Sequence, residues 1–350
     1  SIILEAATFL AATTSASDAA YGTVATAFVN NSAVAAYHTV TNENADLGTT
    51  ALVGVDSTAA SVTSAKATLD VVAPVAGSTF TLTTGVDTGA SFTGGAGADT
   101  FAATAISAGK ETLTSGDSLT GGEGTDRLSL TSSVAGTYGN GAIGNSIEEL
   151  QVTATAATVV DATLMTSVTD IYNVGSTTAG TLSVTGAAGI PNVHMTGSNG
   201  DTTVSFVDAN VNGGSADATT IALATSGTTA DTSITLNGVE TLNVATSGSM
   251  SGSADSVVSG AVVTGKTVTL ASDTLSTVAV TGTAGARLSA NLVGASTTVT
   301  GTVTSAGGAD DITYNATGTD KISVDMGAGD DTVRLSTAPG LATGSTTAGS

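Results

Sequence analysis

Thr93-Gly94-Gly95-Ala96-Gly97-Ala98-Asp99-Thr100-Phe101 returns 27 residues later as Thr120-Gly121-Gly122-Glu123-Gly124-Thr125-Asp126-Arg127-Leu128. Both stretches fit G-G-x-G-x-D-x-U-x, where U is a large apolar residue, the turn-and-strand pattern of calcium-binding parallel β-rolls. The residue types explain the spacing. Glycines such as Gly95, Gly97, Gly122 and Gly124 let the backbone turn and aim its carbonyl oxygens inward. The aspartate adds a hard anionic oxygen, which suits Ca2+. The apolar residue two places later starts a short strand directed at the core. One loop cannot supply six to eight oxygen ligands, so a site requires a second loop stacked on the first. The competing reading is a set of ordinary Gly-Asp turns between strands.

Further acids lie on either side. Asp117-Ser118-Leu119 stands nine residues before Asp126-Arg127-Leu128 and reads as a degenerate repeat running into the second motif. Asp87 stands 12 residues before Asp99 and reads as an incomplete turn. A second cluster comprises Asp310-Asp311-Ile312, Asp320-Lys321-Ile322 and Asp331-Thr332-Val333, at spacings of 10 and 11, with Gly308, Gly318, Gly327 and Gly329 ahead of the acids. The candidate Ca2+ ligands are therefore Asp99, Asp117, Asp126, Asp310, Asp311, Asp320, Asp330 and Asp331. Backbone oxygens at Gly95, Gly97, Gly122, Gly124, Gly327 and Gly329 complete the set.

Composition narrows the class. The 350 residues carry a net charge of −22 with only seven Lys and Arg. Such a chain repels itself unless cations screen or bind it. It lacks the basic residues that binding nucleic acid through its phosphates requires. The acids are scattered among apolar strands, which argues against disorder. Apolar residues make up 41% but aromatics only 3%, so the core is built of Ala, Val, Leu and Ile and suits thin, regular layers. With no cysteine, no disulfide can staple the fold. No apolar run approaches the ~18 residues of a membrane helix. The chain opens at Ser1 rather than Met and ends in a Gly-Ser-Thr tail, which reads as a fragment of a longer protein.

Residues 1–72 read as an α-helical region. Ile3, Ala6, Ala7 and Leu10 share one helical face, as do Tyr21, Val24, Ala25 and Phe28, with Asn30-Asn31 as a stop and a last short helix over Val62–Asp70. From Thr79-Phe80-Thr81-Leu82-Thr83 the pattern changes to period two. Residues 73–135 then form a calcium-loop β segment, 136–300 a repetitive solenoid or sandwich, and 301–350 a second calcium-loop cluster with a tail. In the middle, Leu182, Val193 and Val204 open U-x-U strands at spacings of 11, and Val268, Val278 and Leu288 do so at spacings of 10. Strands of about three residues must stack on neighbours, and this spacing is near half a coil of a solenoid. Hairpins forming antiparallel sandwiches are the alternative. The solenoid is favoured because glycine-aspartate loops need parallel stacking. The expected fold is thus mainly β: a calcium-binding parallel β-solenoid or β-roll behind a small helical region.

Enzymatic motifs are scarce. Gly139-Asn140-Gly141-Ala142-Ile143-Gly144 fits G-x-G-x-x-G but lacks a βαβ context and reads as a turn. Two His and no Cys leave little material for nucleophilic catalysis. Glu148 and Glu149 are adjacent and on a strand face opposite sides. His194 sits mid-strand and reads as a solvated residue, and His38 has no partner at ligand spacing.

The run from Leu82 through the Gly94 loop to Asp126 resembles the opening of RTX-type surface-layer proteins of Gram-negative bacteria. So do Ser146-Ile147-Glu148-Glu149-Leu150-Gln151-Val152 and Gly238-Val239-Glu240-Thr241-Leu242-Asn243-Val244, and Asp325-Met326-Gly327-Ala328-Gly329-Asp330-Asp331-Thr332-Val333 is similar to that family's later calcium loop. The resemblance spans about residues 79–335. It implies a non-enzymatic protein exported by a type I system, folding in extracellular calcium and assembling with copies of itself into a two-dimensional lattice on the cell surface. An outer-membrane polysaccharide partner would be held through a region outside these residues. A secreted RTX-type adhesin or matrix fibre, or the repeat portion of an RTX hydrolase, remain the alternatives.

Overall fold

The computed structural model describes residues 22–41, 52–70, 76–207, 211, 217–224, 231–247, 257–258, 261–262, 267–282, 285–292, 300–305, 307–316, 321–337 and 345–348. The chain forms two compact units, Ser1–Val75 and Ala76–Ser350.

Among the described residues the first unit holds two helices, α1 (Gly22–Thr41) and α2 (Ala59–Asp70). Thr58 caps α2, its hydroxyl accepting the Ser61 N–H at 3.2 Å. Val34 and Ala65 form a small buried contact with Leu52, Val55 and Val62 against it. Two expectations fail here. Asn30-Asn31 does not end a helix, because α1 runs through both. The Asn31 amide donates back to Ala27 O at 2.8 Å, and the Asn30 amide donates to Asp56 O at 2.7 Å, so both side chains are satisfied within a continuing helix. Val24 is 55% exposed; the buried side of α1 instead carries Ala25 and Val34. The face expected at Ile3–Leu10 lies outside the described residues.

The second unit is a parallel β-solenoid. Among the described residues an eleven-stranded sheet runs from Thr79–Thr81 to Lys321–Asp325, and a ten-stranded sheet includes every second rung between Gly136–Tyr138 and Asp331–Thr337. The chain alternates between them. Leu182–Ala187 lies in the ten-stranded sheet, Asn192–Thr196 in the eleven-stranded one, and Thr202–Phe206 back in the first. A half coil thus occupies the 11-residue spacing seen in sequence. Every pairing between successive coils of the two sheets is parallel, which excludes sandwiches of hairpins. Among the described residues antiparallel pairing occurs only between Val257–Val258 and Ala261–Val262, and where Ser345–Ala348 covers Asp331–Thr337.

Register explains why such short strands hold. Phe80, Phe101, Leu128, Leu150, Ile171, Val193, Ile221, Val244 and Val280 stack one on the next through the eleven-stranded sheet. Alternation turns these residues inward and Thr, Ser or Asn outward. The core is one continuous cluster through the solenoid. As expected, the Gly139 motif turns the chain, Gly139 and Gly141 having φ of 75° and 79°, and its last two residues, Ile143 and Gly144, already begin the strand Ile143–Asn145 that follows Gly136–Tyr138.

Candidate metal centre

Asp99, Asp126 and Glu148 each precede by one residue a strand of the eleven-stranded sheet: Thr100–Ala105, Arg127–Ser132 and Glu149–Ala154. Parallel stacking therefore brings them together at one corner, coil over coil. The Asp99 carboxylate accepts the Ser78 N–H at 2.5 Å and the Gly95 N–H at 2.7 Å. Asp99 N–H donates to Asp126 Oδ1 at 2.7 Å, and Asp126 N–H donates to Glu148 Oε2 at 2.9 Å. Asp99 and Asp126 are 2% and 0% exposed, and Asp126 Oδ2 is buried without a hydrogen-bond partner.

The two glycine loops stack on each other 27 residues apart. Gly94 N–H donates to Thr120 O at 2.7 Å, and Glu123 N–H to Gly95 O at 2.8 Å. The first glycine of each motif fills a space that no side chain could enter. A methyl on Gly94 would lie 2.0 Å from Gly121 O and 2.1 Å from Asp99 Oδ2; one on Gly121 would lie 1.8 Å from Ser146 O and 2.2 Å from Asp126 Oδ2. Over each of these glycines, then, a carboxylate oxygen and a carbonyl oxygen of the next coil converge. The left-handed conformation is confined to the second loop, at Gly122 (φ 111°) and Gly124 (φ 112°).

Asp117 occupies a different corner. Its Oδ1 accepts the Asp87 N–H at 2.9 Å and its Oδ2 the Thr114 N–H at 2.7 Å, while Asp87 holds Thr83. The nine-residue step from Asp117 to Asp126 is thus travel within one coil, and the repeat that stacks is the full coil of 27.

In the second cluster the ten-stranded sheet stacks Asp310 on Asp331. Asp310 N–H donates to Asp331 Oδ1 at 3.0 Å, and the Asp310 carboxylate accepts the Ala286 N–H at 2.8 Å and the Ser305 hydroxyl. Gly308 and Gly329 lie against each other beside them. Asp311 is held by arginine: Arg334 Nε lies 2.8 Å from Oδ1, and Arg287 Nε 3.7 Å from Oδ2. Asp330 is exposed, as are Gly327 and Gly329. Asp320 lies outside the described residues.

Burial pushes the Asp126 carboxyl above its ordinary pKa, and the Asp99 and Glu148 carboxylates add to the rise. Burial raises Asp310 likewise, with Asp331 contributing. Like charges in a column favour a proton or a cation between them. Among the described residues no three His, Cys, Asp or Glu side chains converge on one point. The oxygens at the first corner nevertheless fit a hard cation that draws on one or two carboxylates and on loop carbonyls.

On the outer face of the eleven-stranded sheet, His194 faces Tyr172 in register, ring centroids 4.2 Å apart, and lies 2.8 Å from Asp170. Arg127 binds Glu149 at 2.7 Å and sits over the Tyr172 ring. His194 does point away from the core, but it belongs to a ladder of polar contacts between coils. Burial works to raise the Asp170 pKa, yet hydrogen bonds from His194, Thr169 and Asn192 outweigh it and hold the carboxyl below its usual range. The sequence reading missed both this ladder and Glu148. The available signal for Glu148 was its place one residue before a U-x-U strand, the place Asp99 and Asp126 also hold.

No helix among the described residues is long and apolar enough to cross a membrane. The fold and this corner define the class as a repetitive parallel β-solenoid with stacked glycine-aspartate loops. Comparison with family models, with curated proteins and with solved structures found no match.

Proposed function

We propose that the protein is a non-enzymatic, secreted structural solenoid that folds with calcium and assembles with copies of itself into a surface layer. The observation that carries this reading is the column of buried Asp99 and Asp126 and half-buried Glu148 beside stacked glycine loops, with one carboxylate oxygen left bare. Asp99 and Asp126, with the carbonyls of Gly121 and Ser146, would hold the ion at this corner; Asp310 and Asp331 would do so at the second. A bound Ca2+ would neutralise these acids and join adjacent coils. Where calcium is scarce, as inside a cell, the like charges keep the coils apart and the chain stays exportable. In the millimolar calcium typical of extracellular sites, binding becomes folding free energy. The net charge of −22 and the absence of cysteine agree, since neither disulfides nor abundant Lys and Arg offset the acids. Electron microscopy of purified protein in calcium tests the assembly: ordered sheets support a surface layer, whereas loose fibres support an adhesin or matrix protein and monomers refute assembly.

A further inference from the structure

Two buried side-chain oxygens lack a hydrogen-bond partner among the described residues, Asp126 Oδ2 and Asp217 Oδ2. They sit in two places built alike. Asp126 and Asp217 each stand one residue before a strand of the eleven-stranded sheet, Arg127–Ser132 and Ala218–Ala224. The next coil sets a glutamate over each. Glu148 Oε2 accepts the Asp126 N–H at 2.9 Å, and Glu240 Oε2 accepts the Asp217 N–H at 2.9 Å. The main chain repeats as well. Asp126 O accepts from Glu148 N at 3.1 Å and Glu149 N at 2.9 Å; Asp217 O accepts from Glu240 N at 3.1 Å and Thr241 N at 3.0 Å. Glu148 O and Glu240 O each then accept two amides from the following coil.

A buried carboxylate oxygen without a donor is costly, and a second carboxylate one coil away adds repulsion. Among the described residues such an orphaned oxygen occurs at these two Asp-over-Glu steps, on a fully buried Asp126 and a half-buried Asp217. The two side chains that meet at each step are anionic oxygen donors, which suits a hard divalent cation rather than a soft one. We infer that Asp217 and Glu240 form a divalent-cation site built like Asp126 with Glu148, at a coil where the sequence carries no full glycine-aspartate motif. The choice of calcium rests on the proposed function above.

The test counts calcium bound by the full chain, using equilibrium dialysis and elemental analysis, for wild type, Glu240→Gln, Asp217→Asn and Asp126→Asn. Glutamine keeps an oxygen for the Asp217 N–H, and both new side chains are near-isosteric, so either variant serves if the other misfolds. Glu240→Gln and Asp217→Asn are each expected to lose the same single equivalent, or to weaken it at least tenfold. Their combination loses no more than that one. Asp126→Asn loses a different equivalent, additive with the first. Wild-type calcium binding with full stoichiometry retained in Glu240→Gln and Asp217→Asn overturns the inference and leaves the proposed function standing. A gain in melting temperature in chelator, with stoichiometry unchanged, assigns the pair a buried proton and likewise overturns it. A wild type that binds no calcium overturns both.

Discussion

Gly95, the second glycine of its motif, and Gly121, the first of the next, differ in packing. A methyl at Gly95 meets nothing within 4 Å, whereas one at Gly121 would press on Ser146 O at 1.8 Å. Gly121→Ala should therefore destabilise the fold by about 1–3 kcal/mol, as overpacking does. Gly95→Ala should stay within about 0.5 kcal/mol of wild type, as surface changes do. Thermal melts in calcium check both. His194→Ala removes the Asp170 pair and the Tyr172 stack. It should cost about 1 kcal/mol, the sum of a weak exposed ion pair and an aromatic contact; an unchanged melting curve would return His194 to a merely solvated role. Individual roles were only partly legible in the sequence. The glycine-aspartate motif is visible in any printout, but which acids share a corner depends on coil length. Asp117 looked like a neighbour of Asp126 because they are nine residues apart, while the true neighbours are Asp99 and Glu148, 27 and 22 residues away.

Each strand is too short to persist alone, so its stability lies in the rungs above and below. Leu150 illustrates this: it is 0% exposed and stacked between Leu128 and Ile171. Leu150→Ala should cost about 2–5 kcal/mol, while Thr153→Ala on the outward face of the same strand should fall within about 0.5 kcal/mol, as chemical denaturation of the two variants would show. The strands were legible because half a coil leaves a regular mark of apolar residues every 10 or 11 positions. The helix boundary was less so: Asn30 and Asn31 look like a stop, and only a view of Asp56 and Ala27 shows where their amides go. The stacked loops also give a pH signature. The carboxyls of Asp126 and Asp310 are raised by burial and by neighbouring acids, so the folded state holds their protons more tightly than the unfolded chain. Their stabilising contribution is complete below the unfolded carboxyl value of about 4 and is lost as pH rises through the higher folded values. Chelated protein should thus hold more β-structure in mild acid than at neutral pH, read by circular dichroism. Calcium should flatten that slope, because the ion takes the place of the proton.

For the molecule as a whole, a chain of charge −22 without disulfides closes into a solenoid with a core of small aliphatic residues. The fold class was legible in the sequence because repetition amplifies a weak local signal into a long one. The place of the Asp217–Glu240 step was not, since Gly213-Gly214-Ser215-Ala216-Asp217 is one residue short of the full motif, and its likeness to the Asp126 step shows in its hydrogen bonds. The central claim is that divalent ions, more than the thin aliphatic core, hold successive coils together. Far-UV circular dichroism and thermal melting during a calcium titration of the chelated protein test it most directly. The account predicts that β-structure appears and the melting temperature climbs as calcium reaches the millimolar range. Identical spectra and melting temperatures in calcium and in chelator would contradict it.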